Sequence, residues 1–137
     1  MKDLKSQVCL LLVLSLFLIG CQRGEQIPLG KVAGKVTLNG KPLGEGRITF
    51  SSSEQGVAAM ASLNSDGSYV IETPLRLGEY QAAVAGPAPP LDNWVPGEPL
   101  PPPLPTPIPK KYWDVNTSEL AYIVKEGKNQ VDIDVLQ

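Results

Sequence analysis

The chain has 137 residues, 42% of them hydrophobic, with 14 prolines, 13 glycines, two cysteines and no histidine. Its 12 basic and 14 acidic side chains give a formal net charge of −2, so we expect no nucleic-acid partner and no polybasic membrane-binding segment. The absence of histidine excludes Ser-His-Asp and Cys-His nucleophile systems and zinc sites of the H-E-x-x-H type.

Residues 1–20 have the pattern of a signal peptide. Lys2 and Lys5 precede an apolar run of 12 residues, Val8–Ile19, which is interrupted only by Ser15. A helix that crosses a bilayer needs about 20 apolar residues, so this run is too short for a permanent membrane span and has the length of a signal-peptide core.

The end of this segment, Leu18-Ile19-Gly20-Cys21, resembles the lipobox of bacterial lipoproteins. The resemblance implies that Cys21 receives a diacylglycerol and becomes the acylated N-terminus, which holds the exported protein on a membrane through its lipid. Cys9 lies inside the segment that export removes, so no disulfide is expected in the mature chain. Gln22 implies, by resemblance to lipoprotein sorting in diderm bacteria, the periplasmic face of the outer membrane.

The remaining chain reads as a tether, residues 21–30, and one β-sandwich domain, residues 31–137. Short runs of alternating apolar and polar residues, separated by turn residues such as Asn39-Gly40, predict seven strands and no helix. The predicted strands cover residues 31–38, 47–51, 56–63, 68–72, 77–85, 119–125 and 130–136. Their short connections favour an all-β, antiparallel sandwich.

A proline-rich segment, residues 87–109, separates the last two predicted strands from the others, and eleven of its 23 residues are proline. Proline lacks an amide donor and has a fixed φ, so this insertion is neither a central strand nor a helix. In one interpretation it is a stiff crossover from an edge strand to the sheet that it rejoins, with Trp94, Tyr112 and Trp113 packed onto the sandwich. In the other it binds an aromatic groove of a partner, or exposes Trp94 to a glycan or peptide.

Three parts of the chain carry a family resemblance. GKVAGKVTLNGKPLGEGRITF, the SDGSYVIETP hairpin with LGEYQAAV, and the tail from Ile108 are similar to carboxypeptidase-regulatory-like, transthyretin-like domains of small bacterial lipoproteins. The resemblance covers residues 31–86 and 108–136. It implies a seven-stranded Greek-key sandwich and an extracytoplasmic lipoprotein without an assigned activity.

No pattern of catalytic or metal-binding residues emerges. Asn64–Gly67 has the composition of a hairpin turn and lacks the register of a calcium loop, and Ser51–Ser53 has no partner base. Asp132 and Asp134 share a solvent face without a third ligand, so we expect no metal and no cofactor.

The main functional hypothesis is a non-enzymatic, lipid-anchored envelope protein with a structural or protein-interaction role. The alternative is a glycan- or peptide-binding module that uses Trp94, Tyr112 and Trp113 as contact residues.

Overall fold

The computed structural model describes Gly24 and residues 26–137; the predicted signal peptide, residues 1–20, and the predicted lipidation site at Cys21 lie outside the described residues. Within the described part of the chain, no helix is long and apolar enough to cross a membrane. The structure is all-β, as predicted. In chain order the strands are β1 (Leu29–Leu38), β2 (Lys41–Pro42), β3 (Arg47–Ser52), β4 (Val57–Ser62), β5 (Ser68–Val70), β6 (Leu75–Arg76), β7 (Gly78–Ala85), β8 (Leu120–Val124), β9 (Gly127–Gln130) and β10 (Ile133–Val135), with a 3-10 helix (Lys110–Trp113) between β7 and β8.

The described residues therefore form ten strands, and the expected number of seven was too low. The seven predicted strands correspond to β1, β3, β4, β5, β7, β8 and β10. The strands that were missed, β2, β6 and β9, are two to four residues long and lie beside turns, where a two-residue period has no room to repeat.

β1 is the central strand of the first sheet and forms backbone hydrogen bonds along both of its edges. Alternate backbone groups of β1, including those of Val32 and Val36, bond to the side that holds β2, β5 and β6. The intervening residues, including Ala33, bond to the side that holds β9 and β10. Asn39 and Gly40, both at positive φ, form the tight turn from β1 into β2 that the Asn-Gly pair predicts.

The expectation of purely antiparallel pairing was wrong, because β9 and β10 run parallel to β1. Short connections enforce antiparallel pairing only between strands that are neighbours in sequence, and β1 is separated from β9 by almost the whole domain. The connection expected at residues 126–129, between the last two predicted strands, is shorter than expected, because β9 already begins at Gly127. The backbone of Asn129 pairs with β1, and its side chain bonds both backbone groups of Lys125.

The second sheet has the order β4-β3-β7-β8 and is antiparallel throughout. It faces the first sheet across an apolar core, an arrangement consistent with a β-sandwich. Phe50 of β3 lies 6.1 Å from Tyr69 of β5, ring centre to ring centre, and so joins the two sheets. The other fully buried large side chains are Ile48, Val32, Val36, Tyr80, Val84, Val124 and Val135, most of them at the inward positions that alternation predicts.

Candidate functional site

The proline-rich segment lies within the connection between β7 and β8, which are hydrogen-bonded neighbours in the second sheet. The connection, residues 86–119, could have been a short hairpin turn. It is instead a long excursion that leaves the sheet at Gly86 and returns to the same sheet at Leu120. The insertion is therefore not required to carry the chain between sheets, and its length calls for another explanation.

The connection has two parts with different packing, separated at Thr106. The later part docks on the sandwich: Ile108 and Tyr112 are buried in the core, and the buried Ser118 hydroxyl donates to the carbonyl of Ala82. The earlier part, residues 87–105, has no buried residue, and we name it the proline loop. Gly86 lies so close to the Thr106 side chain that a Cβ on Gly86 would be only 2.9 Å from it, which brings the two ends of the proline loop together.

The tip of the proline loop is folded on itself. The Leu91 carbonyl accepts from the Trp94 amide at 3.0 Å, and the Val95 carbonyl accepts from the Glu98 amide at 3.1 Å, which makes two successive turns. The Trp94 indole Nε1 donates to the Glu98 carbonyl at 3.1 Å and ties the turns together. With proline-rich limbs on either side, the loop has little conformational freedom.

A groove of about 600 Å³ opens between the two limbs of the proline loop and the end of the second sheet. Its lining is Arg47, Ala85, Gly86, Pro87, Ala88, Pro89, Leu91, Leu100, Pro101, Pro102, Pro103, Leu104, Thr106 and Trp113. Most of this surface is proline, leucine and alanine. Leu91 and Leu100 are 51% and 71% exposed, so apolar side chains from both limbs remain in contact with water.

The structure does not assemble the three aromatic residues into one platform. Tyr112 is buried in the core under the ammonium group of Lys111, so its ring is not available at the surface. Trp113 is half-buried, lines the groove, and donates its indole N–H to the Ile108 carbonyl at 3.0 Å. Trp94 lies at the loop tip beside a separate, smaller cavity.

The groove and the first residues of β1 lie at opposite ends of the sandwich. β1 begins at Leu29, and the adjacent Gly30 is in close contact with the Lys125 carbonyl, at the end where β8 finishes. At the other end, Asn39 accepts from the backbone amide of Gln137, and the Gln137 side chain donates to the Pro107 carbonyl at 2.9 Å. The ten residues of β1 therefore separate Leu29 from the base of the proline loop by about 30 Å.

Asp132 and Asp134, the candidate carboxylates of the last predicted strand, both accept hydrogen bonds from backbone amides. Asp134 accepts from the Thr37 hydroxyl and the Gly40 amide, which lowers its pKa. Asp132 accepts from the Lys35 amide at 2.9 Å and so continues the ladder between β1 and the last strands. Among the described residues, no group of three or more histidine, cysteine or acidic side chains could hold a metal ion.

The polar residues of Asn64–Gly67 and Ser51–Ser53 also make structural hydrogen bonds. Asp66 accepts from the amide and hydroxyl of Ser68, which lowers the pKa of its carboxyl group, and Gly67 lies at positive φ. Asn64–Gly67 is thus a turn, as predicted, but the expected hairpin is not formed, because the turn leads from β4 in the second sheet to β5 in the first. Ser51 and Ser52 belong to β3 rather than to a loop, and the buried Ser52 hydroxyl accepts from the Gln55 amide.

Arg47 is the groove residue that sequence reasoning missed. It is the first residue of β3 and pairs with Ala85, the last residue of β7, so it lies where the proline loop leaves the sheet. Its Nε is buried and has no hydrogen-bond partner among the residues that the structure describes. A single arginine at the start of a strand carries no signal in the sequence, because its position depends on the fold of an insertion 40 residues away.

Comparisons with known proteins give one structural likeness. No protein-family model matches the chain, and no curated protein matches it. Among solved structures, the chain is similar to a DUF3823 family protein from Parabacteroides merdae, with 18% sequence identity and a TM-score of 0.44. The match covers 79% of this chain and 46% of the other, so the chain spans less than half the length of that protein.

Proposed function

We propose that the chain is a non-enzymatic, lipid-anchored protein of the bacterial envelope that presents the proline loop to a partner protein. The observation that carries the proposal is the position of the loop: it projects from the end of the sandwich opposite the tether. A lipid on Cys21 would then hold one end of the domain at the membrane, while the loop faces away from it.

The lengths of the tether and the sandwich favour a role in which the domain holds the proline loop at a distance from the membrane. Eight peptide steps from Cys21 to Leu29 reach at most about 28 Å, and the sandwich adds about 30 Å along β1. The base of the proline loop could therefore lie up to about 60 Å from the lipid. This reach suits contact with a protein in the envelope space better than contact with the membrane that carries the anchor.

The surface of the proline loop supports a role in protein interaction. Leu91, Val95 and Leu100 are each more than half exposed, and all three belong to this one segment. Exposed apolar side chains that cluster on one element are typical of interaction sites. Stiff, proline-rich segments are also common ligands of other proteins, because they lose little entropy on binding.

The finer assignments form part of the same proposal. A seven-stranded Greek-key core of the carboxypeptidase-regulatory-like, transthyretin-like type is supported by the sequence resemblance, with β2, β6 and β9 as short additions. The non-enzymatic role is supported by the absence of histidine from the chain and by the structural use of Asp132 and Asp134. An outer-membrane location is supported by Gln22.

Site-specific photo-crosslinking in the envelope of the native host would test the interaction role. A photoreactive residue replaces Val95 at the loop tip or, as a matched control, Glu126 in the exposed turn at the tether end. We expect one discrete crosslinked product from position 95 and none from position 126. Equal products from both positions, or none from position 95, would contradict the proposal.

Anchoring is tested separately by the Cys21→Ser variant. This variant should leave the membrane fraction and collect in the soluble periplasmic fraction, because it has no thiol to acylate. A variant that remains with the membrane would remove the lipid anchor from the proposal but would leave the crosslinking result intact.

The alternative of a glycan-binding module receives less support from the groove. Of the described residues that line it, only Arg47 and Thr106 have side-chain polar groups left to bond a ligand, since the Trp113 N–H already bonds to Ile108. Sugar hydroxyls need several polar partners when they lose water. The groove is better suited to a ligand that is mainly apolar.

A further inference from the structure

We propose that the groove is a binding site for a small amphipathic carboxylic acid, with its carboxylate on Arg47 and its apolar body between the limbs of the proline loop. This proposal goes beyond the interaction role. It depends neither on a partner protein nor on lipidation of Cys21.

The apolar part of the argument comes from the limbs of the proline loop. Leu91 lies on the first limb and Leu100 on the second, and both line the groove while staying more than half exposed. An apolar body between them would remove both side chains from water at once, which is favourable in proportion to the area buried. The groove volume of about 600 Å³ is within the range of sites for small molecules.

The polar part of the argument comes from Arg47. It is the only charged side chain among the described residues that line the groove, so no carboxylate of the lining neutralises it. Within the described part of the chain its Nε is buried without an acceptor, which is costly for a cationic group in apolar surroundings. A ligand carboxylate that accepts from the guanidinium group would supply the missing negative charge in a geometry that arginine favours.

Trp113 places a natural reporter at the site. Its ring lines the groove, and its N–H is held by the Ile108 carbonyl, so a ligand meets a fixed aromatic surface. The chain has two tryptophans, and Trp94 lies at the loop tip, outside the groove lining. In the Trp94→Phe variant Trp113 is the one remaining tryptophan, so the fluorescence of the protein reports occupancy of the groove.

The test titrates this single-tryptophan protein with octanoate, octanol and octylammonium, which share one apolar chain and differ in charge. Fluorescence of Trp113 and calorimetry measure the affinities. Octanoate should bind at least roughly tenfold more tightly than octanol, since a charge-assisted hydrogen bond is worth a tenfold change or more, and octylammonium should bind most weakly. Equal affinities for octanoate and octanol, or no octanoate binding, would overturn the proposal.

Variants then identify the residues responsible. Arg47→Gln should lower octanoate affinity to that of octanol, whereas Arg76→Gln, at an exposed position of β6 outside the groove lining, should change neither. Leu100→Ser should weaken the binding of both octanoate and octanol. The Leu100 side chain is too exposed for this change to affect folding. If Arg47→Gln does not fold, titration of Leu100→Ser with the same three ligands still tests the proposal. An octanoate affinity equal to that of the parent protein would refute binding between the limbs.

Discussion

Excision of the proline loop is the sharpest test of how this domain is organised. In the variant, residues 87–105 are replaced by the four-residue linker Gly-Ser-Gly-Ser, which joins Gly86 to Thr106. These two residues are already in contact, so a short linker can close the gap without moving β7 or the docked segment that begins at Ile108. We expect the sandwich to fold.

Two opposing contributions determine how much excision changes the free energy of unfolding. Shortening the closed loop from 19 residues to four lowers the entropic cost of closure by about 1.4 kcal/mol, and by less because the proline limbs are already stiff. The loss of partial contacts made by half-buried Pro87, Pro89 and Pro101 acts in the other direction. The free energy of unfolding should therefore change by no more than about 2 kcal/mol.

Urea unfolding, followed by far-ultraviolet circular dichroism, measures this change. Ile108→Ala is the matched control, because Ile108 follows the loop closely in sequence but is buried in the core. Its truncation should cost about 2–5 kcal/mol. If excision destabilises the domain as much as Ile108→Ala does, the division of the connection at Thr106 is wrong and the proline loop belongs to the core. The excised protein should also lose octanoate binding.

Three further predictions concern the sheet around β1. Tyr69→Phe should lower the free energy of unfolding in urea by about 1–2 kcal/mol, because the buried hydroxyl donates to the Val131 carbonyl at 2.7 Å; an unchanged midpoint would show that this bond contributes nothing. Gly34→Ala should cost at least about 2 kcal/mol, since its Cβ would collide with the same carbonyl, and a neutral effect in thermal melts would mean that the backbones can separate. Asp134→Ala should destabilise the protein at neutral pH, and the difference from wild type should narrow as pH falls below the ordinary carboxyl pKa of 3.8, because hydrogen bonds from Thr37 and Gly40 lower the pKa of the folded state; a difference independent of pH would contradict this.

Much of the sandwich was predictable because its strands alternate. In β1, β3 and β7 the inward positions are apolar apart from Ser52, the outward positions are mostly polar or small, and the buried residues follow that pattern apart from Ala83. The prediction weakened where segments are too short for a period to appear. It failed for the direction of β9 and β10, because alternation identifies a strand and its buried face but does not identify its neighbour.

The candidate site was only partly predictable, for a different reason. The proline-rich composition located the excursion, but the composition also extended through residues 106–109, where Ile108 is in fact part of the core. Proline content restricts the backbone and says nothing about which neighbouring side chain is buried. Tyr112 and Trp113 are adjacent in sequence, yet one is in the core and the other lines the groove, because consecutive residues of a 3-10 helix point in different directions.

The parallel pairing of β10 with β1, which the sequence did not reveal, gives the base of the proline loop a second attachment. Because β10 runs parallel to the second half of β1, the residues after β10 arrive beside Asn39, at the end of the sandwich far from the tether. There Gln137 bonds both to Asn39 and to the Pro107 carbonyl, so the base of the loop is tied to the first sheet as well as to the second. An antiparallel last strand would end near Leu29 instead, and the loop would lack this support. The end of β7 sets where the loop leaves the sandwich, and the direction of one three-residue strand adds its attachment to the first sheet.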